Sequence, residues 1–206
     1  MSQSSFFRRQ WFASAGIGLL ALTNALPAAA HHMLGGRLPA NAFEGFLSGL
    51  GHPVLGLDHL LFVIAAGGLA SLYRRGWIIP VTFLVGMLPG VALHLARFTL
   101  GADELLVAGS VILFGMLLTL SRRLGLLETA ALAATAGLFH GYAYAESIVG
   151  AEMGPLWSYL LGLVLVQLAI ALGAAQLSQR LLTEQWRRWL GFAIAGLGVS
   201  LLPGLV

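Results

Sequence analysis

The chain has no cysteine and no lysine among its 206 residues. Without cysteine there is no disulfide, no thiolate ligand and no thiol nucleophile, so any metal must be held by nitrogen and oxygen. Charge is scarce as well. Charged residues make up 9% of the sequence and apolar ones 58%, against about 25% and 45–50% in an ordinary soluble domain. That balance excludes a water-soluble fold. All 11 basic residues are Arg, set in scattered pairs rather than gathered into the stripe that binds a phosphate backbone, which excludes a nucleic-acid partner. What the chain has in quantity is glycine, 27 residues of it, the residue that lets helices approach closely in lipid. The expected fold is an all-α polytopic membrane protein whose surroundings are the lipid bilayer.

Residues 1–30 read as a signal peptide. Arg8 and Arg9 precede an apolar stretch from Trp11 to Leu22, followed by Pro27 and the small triplet Ala28, Ala29, Ala30, the order of a charged, an apolar and a cleavage region. Cleavage after Ala30 leaves His31 and His32 at the new N-terminus of a short extracytoplasmic segment, 31–50; an uncleaved signal anchor is the competing reading. Residues 51–206 then hold six apolar runs, at about Gly51–Tyr73, Trp77–Phe98, Glu104–Leu120, Leu126–Ile148, Leu156–Leu177 and Trp189–Leu202, each near the ~20 residues that cross a hydrocarbon core. Arg74, Arg75, Arg122, Arg123, Arg180, Arg187 and Arg188 flank these runs on one side, and only Arg37 and Arg97 on the other. The positive-inside rule then predicts six transmembrane helices in a bacterial inner membrane with both mature termini outside. Small residues at Gly86 and Gly90, Ala130 to Ala136 and Ala193 to Gly198 are expected to pack helices together, within the chain or in a homo-oligomer. Pro80 and Pro89 are expected to bend the second span.

A few residues do not belong in a membrane helix. Asp58 and His59 fall in the first run, His94 in the second, and His140 with Glu146 in the fourth; an ionisable group at such depth costs several kcal/mol unless paired or hydrated, so function is its default explanation. Counted from the Arg-flanked ends, His59, His94 and His140 lie roughly 21, 26 and 22 Å up at ~1.5 Å per residue. Three helices thus carry imidazoles at one level, in the outer half of the bilayer, with Asp58 beside them. His52 and His59, seven positions apart, share a face of a continuous helix, His52 as an entrance ligand and His59 as a deep one. Pro53 is tolerated there at a first helical position. Tyr144 lies one turn from His140, and Gln167 of the fifth run reaches the same level. Imidazole and carboxylate donors without thiolate suit divalent Ni, Co or Zn rather than Ca or Mg.

At these residues the chain resembles the HupE/UreJ family of bacterial membrane proteins. The first element is HPVLGLDHLLF, His52 to Phe62, similar to the family's first-helix signature of His-Pro, a Gly and an adjacent Asp-His; the second is FHGYAYAE, Phe139 to Glu146, similar to its later His-Gly-rich motif ending in Glu. The resemblance implies a secondary permease for nickel or cobalt, linked to hydrogenase or urease maturation, with His52, Asp58, His59, His140 and Glu146 as metal-site residues; His94 is added by its depth. Tyr144 and Ala145 stand where members commonly carry another His and a Gly.

The residues leave other functions open. A membrane-embedded zinc hydrolase can be built from three His with Asp58 or Glu146 as base. Two axial His can hold a haem, and an accessory subunit can use the same His for packing alone. On the transport reading no organic cofactor and no catalytic residue is expected, and His31, His32 and Tyr144 are auxiliary to the site.

Overall fold

The structure is a computed structural model and describes residues 34–35, 37–120 and 124–202. The expected signal peptide and its cleavage site, His31, His32 and the Arg122–Arg123 pair lie outside the described residues. Among the latter there are seven helices and no strand: α1 (Ala42–Leu55), α2 (Leu57–Ala70), α3 (Ile78–Leu95), α4 (Asp103–Thr119), α5 (Leu126–Glu146), α6 (Met153–Leu181) and α7 (Glu184–Ser200). By length and apolar composition α3 and α6 suffice to cross a membrane, as do α1 and α2 if taken as one broken span. The outward faces of the helices carry Val85, Leu88, Leu113, Leu161 and Leu165, all exposed, a surface suited to lipid rather than water.

Polar side chains close the helix ends. Asn41 Oδ1 accepts from Glu44 N at 2.9 Å to start α1, and the Glu44 carboxylate holds both Arg37 amino groups at 2.7 and 3.0 Å. At the start of α5, Glu128 turns back to accept from Gly125 N at 2.6 Å. Such caps satisfy amides that the first helical turn leaves without partners.

The main departure from the expected architecture lies at the first span. A continuous helix from Gly51 was expected; instead α1 begins at Ala42, and α1 and α2 meet at Gly56 with a bend of 78°. Gly56 is extended, with φ −76° and ψ 106°; its amide closes α1 on His52 O at 2.9 Å, and its carbonyl opens α2 by accepting from Leu60 N at 2.9 Å. Pro53 has no amide to give the preceding turn, so it weakens the last turn of α1 instead of occupying a first position. The second span behaves otherwise, for α3 runs unbroken through Pro89.

Three helix pairs, α3 with α5, α1 with α6 and α4 with α7, form the most extensive contacts, and α2 lies among them, touching α6, α4, α3 and α7. Glycine sets these distances. A Cβ on Gly86 or Gly90 would meet the Ala134 or Leu138 carbonyl, and one on Gly137 or Gly141 would meet that of Phe83 or Met87. Gly45 and Gly49 lie equally close to α6, and Gly115 and Gly191 bring α4 and α7 together. The small-residue faces singled out in the sequence are therefore used inside the chain. Phe62, Phe83, Phe114, Leu69, Ile79 and Leu118 fill the core around α2.

One end of the bundle collects arginine. Ser71 bonds Ser178 at 3.0 Å and Tyr73 bonds the Leu124 carbonyl at 2.9 Å, which ties the end of α2 to the end of α6 and the start of α5. Thr119 reaches the Arg188 carbonyl at 3.5 Å. Arg74, Arg75, Arg180, Arg187 and Arg188 thus share this end.

Candidate functional site

The break at Gly56 is what builds the site. Seven positions along a straight helix would separate two side chains by about 10 Å, yet the bend holds the His52 and His59 rings 5.5 Å apart between centroids. His52 is buried, 3% exposed, and is not the entrance residue expected from its place in the sequence. Its Nδ1 meets Ser147 Oγ at 3.1 Å and Tyr159 Oη at 3.0 Å. Those two hydroxyls also converge on the Tyr144 carbonyl, at 3.0 and 2.9 Å.

His59 stands in the first turn of α2. Asp58, its neighbour, accepts from His59 N at 2.8 Å, and its Oδ1 lies 3.9 Å from His59 Nε2. A carboxylate in a first helical turn is favoured by the positive end of the helix dipole. The other ring nitrogen, Nδ1, meets His140 Nδ1 at 2.9 Å, and His140 Nε2 meets Ser110 Oγ at 2.8 Å. Tyr144 lies against the His59 ring, 4.1 Å between centroids, and donates its hydroxyl to Gln167 Oε1 at 2.9 Å. Gln167 in turn donates to Leu163 O at 3.1 Å and leans on the Met87 sulfur. Its carbonyl oxygen is therefore directed at Tyr144.

On the arginine side of His140 lie aromatic rings. Phe62 lies 4.5 Å from the His140 ring, 4.7 Å from Phe83 and 4.6 Å from Phe114. All three phenyl rings are buried.

Four of the predicted residues, His52, Asp58, His59 and His140, come together. Two others do not join these contacts. His94 lies against Tyr142, 4.3 Å between ring centroids, with its Nδ1 buried and without a hydrogen-bond partner among the described residues. Glu146 ends α5 with its side chain exposed. The depth count set His94 near the level of His59 and His140, and the resemblance added Glu146, but neither fixes the direction in which a helix presents a side chain. As the side chains stand, no group of three or more His, Asp or Glu among the described residues is disposed to hold a metal ion. Ser110, Ser147 and Tyr159 were missed in the sequence. A serine hydroxyl in a helix usually bonds its own backbone and a tyrosine commonly fills a core, so nothing in the sequence marks these three.

The model of the family described as HupE / UreJ protein matches residues 19–201. The chain is similar to Protein HupE of Rhizobium leguminosarum bv. viciae, with 30% identity over 184 residues, 87% of this chain and 93% of that protein. No solved structure matches it.

Proposed function

This chain belongs to the HupE/UreJ family, and from that premise we propose that it is a permease carrying a divalent transition-metal ion, nickel or cobalt, across the bacterial inner membrane. The observation that carries the reading is the meeting of His52, Asp58, His59 and His140 at a helix break inside an apolar bundle. Nitrogen and oxygen donors without thiolate are the set that suits these ions. Discontinuous helices recur at the ion sites of secondary transporters, because a broken span offers helix termini and side chains at mid-membrane depth. The seven helices among the described residues then make six crossings, α1 and α2 forming the first, with the arginine end inside and both mature termini outside. The ion is substrate here rather than a resident catalyst, and the chain acts as a carrier rather than an enzyme.

Transfer needs a rearrangement. The donors do not yet surround an ion, so capture must turn His52 and Asp58 toward His59, and release must pass the phenyl layer around Phe62. The test is uptake of radioactive nickel and cobalt by cells expressing the chain, alongside Asp58→Asn and His59→Ala variants present in the membrane at equal amounts. Uptake by the parent and background uptake by both variants is the expected outcome. Equal uptake by all three overturns the proposal.

A further inference from the structure

His140 is flanked by hydrogen bonds on both ring nitrogens, and the positions of the protons can be worked out from the atoms alone. Ser110 Oγ lies 2.7 Å from the Val107 carbonyl. A carbonyl oxygen only accepts, and with its one hydroxyl proton donated along this shorter contact Ser110 has no second proton to give. Ser110 must therefore accept in its second bond, and His140 Nε2, 2.8 Å away, carries the proton. A neutral imidazole has one such proton, which leaves His140 Nδ1 as an acceptor. The partner 2.9 Å from that atom is His59 Nδ1, which in turn must be the donor. Neutral His59 then holds its lone pair on Nε2, the nitrogen that lies 3.9 Å from Asp58 Oδ1.

We infer that Ser110 and His140 are positioning residues: the relay from the Val107 carbonyl through Ser110 and His140 fixes the tautomer of His59, so that Nε2 is the nitrogen offered to a divalent cation beside Asp58. His140 is then not itself a ligand, in contrast to its role in the expected donor set. The relay spans three helices, α4, α5 and α2, and His59, Ser110 and His140 are all buried, so water does not compete for these bonds. Partners that hold a ligating imidazole in one tautomer and one orientation raise its basicity toward the metal, and their loss typically costs 10–100-fold in affinity. The inference rests on the metal-permease reading, but its proton bookkeeping can be tested without metal.

The experiment uses the full chain, labelled with 15N-histidine and purified in detergent, with ring signals assigned by single His→Gln variants. Metal-free protein is expected to show the proton of His59 on Nδ1 and that of His140 on Nε2. On addition of zinc, His59 Nε2 moves to the metal-bound range while His140 keeps its Nε2 proton. Ser110→Ala should give mixed tautomers at both rings and bind nickel about 10–100-fold more weakly, and Ser110→Thr, which keeps the hydroxyl, should restore both. A proton on His59 Nε2 in the parent protein overturns the inference. So does zinc bound at His140, or a Ser110→Ala variant whose tautomers and affinity are unchanged. If the parent shows the stated tautomers but binds no nickel, cobalt or zinc, the relay holds as a tautomer-setting device and the permease reading fails.

Discussion

Gly56 is the smallest residue of the site and has little room to change. A methyl group there would sit 2.7 Å from His59 Cδ2 and 3.1 Å from Asp58 Oδ1, and neither atom belongs to a loose chain end. The His59 ring is held on its other side by His140 and faced by Tyr144, so it has to swing and break the bond to His140. Gly56→Ala is therefore expected to leave the helices intact while lowering nickel affinity by about tenfold or more, as loss of an orienting partner does. Titration calorimetry on purified protein checks it, and an affinity equal to the parent's contradicts the geometry. The same residue explains what the sequence left hidden. Its φ is negative, and the hydrophobic run continues on both sides of it, so nothing in the pattern marks Gly56 as a break. His59 and His140 were legible from depth because rise along a helix is regular. His94 was grouped with them for the same reason, although its ring lies against Tyr142.

At the scale of elements, the ends of five of the runs were legible to within five residues, since arginine, Asp103 and Gly125 punctuate them. The first run was not, and neither was the pairing of helices. That pairing depends on which glycine faces which backbone, a matter of direction around the axis. It makes a prediction by contrast. Gly90 faces the Leu138 carbonyl and the Tyr142 amide, whereas Gly109 on α4 has open space where a Cβ would go. Gly90→Ala should separate α3 from α5 and lower stability by about 1–3 kcal/mol, the usual cost of overpacking. Gly109→Ala should be neutral or stabilising by up to about 1 kcal/mol, from helix propensity alone. Thermal unfolding of the two variants in one detergent compares them directly, and equal melting temperatures would refute the close α3–α5 contact.

For the whole molecule, the absence of cysteine turns into a means of measuring topology, because any introduced thiol is the only one. Gly101, in the turn between α3 and α4, and Gln185, near the start of α7, are both exposed at opposite ends of the bundle. On the six-crossing reading, Gly101→Cys in intact spheroplasts reacts with a membrane-impermeant maleimide, and Gln185→Cys reacts only after permeabilisation. The reverse pattern, or labelling of both from outside, would rule that orientation out. The phenyl layer of Phe62, Phe83 and Phe114 has an electrical consequence on this reading. Three buried rings without polar atoms are an insulator between the histidines and the arginine end, so the membrane voltage falls most steeply across them rather than across the site. Each elementary charge that crosses a full 100 mV exchanges about 2.3 kcal/mol. On this reading a divalent ion resting at His59 has that work still before it.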